Sequence, residues 1–128
     1  MIGFIGGGNM AEALIKGMTS KGMKEIIVSE PREERRNELQ RLYGIKTTVS
    51  NREVVASCDI IILAVKPQNM EAVLEDIAGD VTEKKVVVSI AAGITLPYLS
   101  SKLKTELIIR VMPKAFTQWN TRTKSLCT

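Results

Sequence analysis

The chain has 128 residues, 45% hydrophobic and 25% charged, with a net charge of +4. That length suits one domain with a packed core, and the composition argues against disorder. No apolar run approaches the roughly 18 residues needed to cross a bilayer, and no basic leader precedes the first apolar stretch, so the expectation is a cytoplasmic protein with no membrane partner. The positive balance, 18 basic against 14 acidic residues, is scattered. Runs such as Arg32-Glu33-Glu34-Arg35-Arg36 alternate in sign, which describes a solvated helix face and not a nucleic-acid stripe. The absence of histidine removes the commonest general acid/base and metal ligand, so no metal site and no Ser-His-Asp chemistry is expected. Cys58 and Cys127 form no CxxC motif and indicate a reducing compartment; Cys58, just before an apolar run, reads as a small core residue.

In chain order, residues 1–5 read as a strand. A helical stripe follows at Ala11, Leu14, Ile15 and Met18, ended by Gly22. Residues 25–29 form a second short strand. Pro31 suits the first turn of a helix that runs to Tyr43 and stops at Gly44. Asn51 is placed to cap a short helix ending near Ser57. Residues 60–65 are a continuous apolar run, as in a strand covered on both faces. Pro67 opens a helix with its stripe at Met70, Val73, Leu74 and Ile77. Residues 86–90 are another buried strand, Thr95 caps a helix carrying Leu96, Leu99 and Leu103, and residues 107–111 form the last strand. Such β-α repetition specifies an α/β fold of the Rossmann type, a doubly wound, mainly parallel sheet with helices on both faces. Residues 1–113 are therefore one domain. Residues 114–128 hold Phe116 and Trp119 with little periodicity and read as an atypical tail.

Gly6-Gly7-Gly8-Asn9-Met10-Ala11 matches G-x-G-x-x-A, after a predicted strand and at the start of a predicted helix. Gly6 serves the tight turn, Gly8 lets the backbone approach a pyrophosphate, and Ala11 allows close helix–sheet packing. A diphosphate then meets the free N–H groups at the helix N-terminus. A P-loop is excluded, because no G-K-[ST] follows the glycines; the acid that methyltransferases usually carry before the first glycine is here Ile5. The end of the second strand reads Ser29-Glu30-Pro31-Arg32. A carboxylate there suits the ribose hydroxyls of NAD, whereas arginine suits the 2′-phosphate of NADP. Glu30, Arg32 and Arg35 leave both cofactors open.

Four segments in order resemble pyrroline-5-carboxylate reductases across residues 1–113: the opening from Phe4 through the glycine turn to Gly17; Ala64-Val65-Lys66-Pro67-Gln68; Ser89-Ile90-Ala91-Ala92-Gly93-Ile94; and Arg110-Val111-Met112-Pro113. The resemblance implies NAD(P)H-dependent reduction of the small molecule 1-pyrroline-5-carboxylate to L-proline. It places the diphosphate along Ile5, Gly6, Gly7, Gly8, Asn9 and Met10, and the adenosine ribose or its phosphate near Ser29, beside the Glu30 and Arg32 already singled out by their charge. Asn51 falls near the adenine, the segment Ala64, Val65, Lys66 and Pro67 along the cofactor, and Ala91 and Ala92 beside the nicotinamide. No catalytic residue is assigned. A protonated cyclic imine already accepts hydride, so orientation and exclusion of water are the protein's main tasks. The family continues its fourth signature as M-P-N-T-P and adds a helical C-terminal domain that builds homo-oligomers; here Lys114-Ala115-Phe116 follows Pro113, a change of the kind a frameshift or an expression fusion leaves. The expectation is a cofactor-binding half that is inactive alone.

Overall fold

The computed structural model describes residues 1–103, 105 and 107–111. Six strands alternate with five helices: β1 (Ile2–Ile5), α1 (Asn9–Ser20), β2 (Ile26–Ser29), α2 (Glu33–Tyr43), β3 (Lys46–Thr48), α3 (Asn51–Ser57), β4 (Ile60–Leu63), α4 (Pro67–Ile77), β5 (Val86–Ser89), α5 (Leu96–Lys102) and β6 (Ile108–Arg110). All pairings are parallel, in the order β3-β2-β1-β4-β5-β6. The residues expected to form an atypical tail, 114–128, lie outside the described residues.

Strand side chains sort by the two-residue period onto two cores. Ile5, Ile27, Ile61, Leu63 and Val87 face one, completed by Val54, Met70, Leu74 and Leu99 from α3, α4 and α5. Phe4, Ile26, Val28 and Ile62 face the other, completed by Ala11, Ile15 and Leu39 from α1 and α2. Both sheet faces are thus covered, which is why the inner strands are apolar at nearly every position, with Ser29 and Ser89 at the ends of β2 and β5. The chain leaves β1 for β2 on one side of the sheet and later returns beside β1 as β4. This reversal of strand order opens a crevice between the carboxyl ends of β1 and β4.

Beyond one-residue differences at strand ends, the structure departs from the sequence expectation in several places. β3 was not anticipated: Lys46-Thr47-Thr48 is polar, and its pairing with β2 decides its conformation. α2 begins at Glu33, after Pro31, because Arg32 is the extended N-cap and its backbone N–H is taken by the Glu30 side chain. Ser50, not Asn51, caps α3, its hydroxyl accepting from the Glu53 amide. β4 ends at Leu63, two residues early. Leu96 of the expected α5 stripe is 42% exposed, while Leu99 and Leu103 are buried.

α2 is the most charged helix, and Leu39 is its only buried residue. One leucine is a thin apolar anchor. Polar contacts to the start of α1 therefore hold α2 in place, and they meet at the glycine turn.

Candidate functional site

The crevice is a cleft of about 640 Å³. Its floor is the glycine turn. Gly6 continues the sheet register by donating to the Ser29 carbonyl at 2.9 Å, then turns with φ +103°. A side chain there is doubly opposed: the backbone is left-handed, and a Cβ would lie 2.7 Å from the Ala64 carbonyl oxygen. Gly7 is packed on the opposite side, where a Cβ would meet Leu39 Cδ1 at 3.0 Å. Gly8 differs from both. It is the N-cap of α1 in ordinary extended backbone, and nothing stands within 4 Å of where its Cβ would be. Neither conformation nor protein packing requires glycine there, so open space over the N-terminus of α1 is what its missing side chain provides. The first N–H groups of a helix have no partners within it.

Of the residues anticipated from sequence, the structure gathers Ile5, Gly6, Gly7, Gly8, Ser29, Glu30, Arg32, Asn51, Ala64, Val65 and Lys66 around this cleft. Asn9 and Met10 form the opening turn of α1 behind it, Asn9 exposed and Met10 packed toward the α1–α2 core. Pro67 is the exposed first residue of α4. Ala91, buried, and Ala92, exposed, follow β5 beyond the cleft lining. Pro31, Val49, Asn69 and Val73 also line it and were not anticipated. Val49 follows the unforeseen β3 and is 67% exposed; Asn69 and Val73 lie on α4, one helical turn apart.

Two side chains expected to meet the ligand are engaged within the protein. Glu30 is 4% exposed. Its Oε1 accepts from the Gly7 amide at 3.0 Å, and its Oε2 accepts from the Arg32 amide at 3.0 Å and Arg32 Nε at 2.8 Å. Burial alone would raise its pKa, but the hydrogen bonds from Arg32 and Gly7 together hold the carboxyl below the usual glutamate range. Arg35, proposed from sequence as a 2′-phosphate partner, is instead turned inward: Nε donates to the Gly7 carbonyl, Nη2 to the Gly8 carbonyl and Glu12, and Nη1 to Glu38. Glu12 is held below the usual range first by the Tyr43 hydroxyl and then by Arg35. Arg32 remains largely open, with its side chain 65% exposed at the cleft edge. Ser29 donates to Asn51 Oδ1 at 2.6 Å, which ties the end of β2 to the start of α3. Among the described residues no group of three His, Cys, Asp or Glu side chains could hold a metal, and no helix is long and apolar enough to cross a membrane.

Glu30→Gln keeps the shape and removes the charge. A carboxylate with a lowered folded pKa stabilises the fold above its unfolded pKa, and that contribution disappears as pH falls through the folded value. The variant is therefore expected to be about 1 kcal/mol less stable at pH 7 and to lose less stability than the wild type on acidification from pH 5 to 3. Urea unfolding at pH 7, 5 and 3 measures this. Parallel pH profiles for the two proteins would show that Glu30 does not carry the acid dependence.

A doubly wound sheet, a glycine turn that opens a helix and a cleft at the strand-order reversal define the dinucleotide-binding class of oxidoreductase domain. The family described as "NADP oxidoreductase coenzyme F420-dependent" matches residues 1–93, and the chain belongs to it. Its relatives are pyrroline-5-carboxylate reductases. That of Methanosarcina acetivorans is 40% identical over 116 residues, 88% of this chain and 43% of the relative. Among solved structures, the pyrroline-5-carboxylate reductase of Coxiella burnetii has a TM-score of 0.82 at 32% identity, covering 88% of this chain and 43% of that one. The Plasmodium falciparum pyrroline carboxylate reductase, solved with NADP bound, has a TM-score of 0.74 at 30% identity, covering 88% and 41%. The chain thus spans less than half the length of these relatives.

Proposed function

We propose that residues 1–113 form the dinucleotide-binding unit of a cytoplasmic enzyme that reduces 1-pyrroline-5-carboxylate to L-proline, and that they bind NADPH or NADH. The observation that carries this reading is the unfilled space over Gly8 at the N-terminus of α1, in a chain 40% identical to a pyrroline-5-carboxylate reductase. The residues fit the cofactor. The amides of Gly8 and Asn9 would take the diphosphate, since the Gly7 amide already serves Glu30. Ser29 would take the adenosine ribose, and Asn51, held by Ser29, would border the adenine, to which exposed Val49 would give an apolar seat. Val65 and Lys66 would follow the cofactor toward Ala91 and Ala92, beside the nicotinamide. The bound cofactor supplies the hydride; the protein orients it and keeps water away.

NADPH is the favoured form. The Arg32 charge pairs with Glu30, so Glu30 offers a 2′-phosphate little repulsion, and the Arg32 Nη1 group, not directed at Glu30, stands at the exposed cleft edge. By the same resemblance, the active enzyme is a homo-oligomer.

Calorimetric titration of residues 1–128 with NADPH and NADH tests the reading. Saturable binding at one site, tighter for NADPH, is expected. Failure to bind either dinucleotide at millimolar concentration overturns it.

A further inference from the structure

We propose that Arg35 is the positioning residue of the diphosphate-binding turn, holding the carbonyls of Gly7 and Gly8 so that the amides on the far side of the same peptides face the ligand. The inference rests on the reading of the cleft as a dinucleotide site. Arg35 reaches the turn from α2, 28 positions along the chain, with Nε 2.6 Å from the Gly7 oxygen and Nη2 3.2 Å from the Gly8 oxygen. No peptide bond among the described residues is cis. In a planar trans peptide the C=O and N–H point in opposite directions. Fixing the Gly7 carbonyl toward α2 therefore aims the Gly8 amide away from it, and fixing the Gly8 carbonyl does the same for the Asn9 amide. These are the two amides left for a diphosphate, because Glu30 takes that of Gly7 at 3.0 Å. The turn is gripped from both sides, a carboxylate on its N–H and a guanidinium on its carbonyls.

Arg35 itself has at most one N–H, on Nη1, left for an external phosphate. A guanidinium has five N–H donors. Those of Arg35 serve the two carbonyls, Glu12 and Glu38, which accounts for four acceptors. Two carboxylates already flank its single charge, and its side chain is 13% exposed. Tyr43 anchors the second oxygen of Glu12, so the arginine is itself held in place. Lysine would supply the charge but not a planar fork able to span two carbonyls.

The test compares the wild-type 128-residue chain with Arg35→Met and Arg35→Lys, by calorimetry with NADPH and NADH and by displacement with adenosine 2′-monophosphate, which has no diphosphate. If the wild type binds neither dinucleotide, the reading of the cleft fails and not the role of Arg35. Otherwise Arg35→Met is expected to weaken NADPH and NADH by the same factor, roughly tenfold or more, and to leave adenosine 2′-monophosphate within about twofold. Arg35→Lys should recover part of the loss for both. A collapse of the NADPH-to-NADH ratio would show instead that Arg35 touches the 2′-phosphate. Equal loss of all three ligands in a folded variant, or no loss of any, also overturns the proposal. If Arg35→Met does not fold, Arg35→Lys is judged by the same criteria, with a smaller common factor expected for the two dinucleotides.

Discussion

Gly8→Val is expected to abolish dinucleotide binding while leaving the domain folded. The two halves of that result have separate physical causes. Folding survives because Gly8 has φ −79° and ψ −167°, backbone that valine adopts readily, and because a Cβ there meets no protein atom within 4 Å. The N-cap makes no side-chain hydrogen bond in the wild type, so none is lost; replacing the glycine costs only about 1 kcal/mol of helix capping. Binding fails because the branched side chain fills the space over the Gly8 and Asn9 amides. Overpacking costs about 1–3 kcal/mol even where neighbours yield, and a diphosphate that cannot reach its donors loses their charge-assisted bonds as well. The combined expectation is a weakening of at least about 100-fold. Thermal melting should show a shift of a few degrees, and calorimetry with NADPH should show no saturable heat. Unchanged affinity would remove the diphosphate from the glycine turn. Gly6→Val is the informative contrast: its Cβ would strike the Ala64 carbonyl at 2.7 Å on left-handed backbone, so that variant should lose the fold and the binding together.

The second large effect concerns catalysis. A polypeptide of residues 1–128 is expected to bind NADPH and yet to reduce pyrroline-5-carboxylate very slowly. The described residues that line the cleft come from the ends of β1 and β2, from the segments leading into α1, α2, α3 and α4, and from α3 and α4 themselves. On the proposed reading they grip the cofactor. They provide no second wall to hold an imine against the nicotinamide, and the relatives that carry out the reaction are more than twice as long. Proper orientation supplies roughly 7–11 kcal/mol of a bimolecular barrier, so its loss slows hydride transfer by roughly five to eight orders of magnitude. An open nicotinamide is also exposed to water, which screens the charges that would polarise the reaction. Following NADPH absorbance at high protein concentration with saturating substrate decides the matter. Near-normal turnover would mean that these residues build the substrate wall themselves, through self-association or through parts of the chain outside those described.

Much of the fold was legible before the structure because it depends on local chemistry. Ile60-Ile61-Ile62-Leu63 reads as a strand buried on both sides; it is paired between β1 and β5, with Ile61, Ile62 and Leu63 buried and Ile60 exposed at its start. Gly44 stops α2 in the left-handed conformation that glycine adopts without strain, and Thr95 caps α5. The glycine turn was legible because it requires a particular order of strand, tight turn and helix, and the sequence shows all three. β3 was not legible. Its polar residues carry no strand period, and it exists because Ile27, Val28 and Ser29 offer it an open edge. Gly3 was equally silent: α3 packs so closely on β1 that a Cβ there would lie 2.8 Å from Cys58 Sγ, a constraint between segments more than 50 residues apart.

The sequence by itself determined the layered α/β architecture, the strand–turn–helix with its glycine spacing and the family to which the chain belongs. The architecture and the turn follow from side-chain period, glycine spacing and helix capping, which act over a few neighbouring residues; the family follows from the resemblance of four motifs. Only the tertiary structure decided what the charged residues around the turn do. From sequence, Glu30 and Arg35 were two ionic side chains near the expected ribose, free to meet a ligand. Folding brings Gly7 and Gly8 against both, and the exposed backbone amide and carbonyls of the turn become their partners. Buried polar groups must be satisfied by whatever is nearest in space. Which group is nearest depends on how α2 docks on α1, and no local pattern in the sequence encodes that.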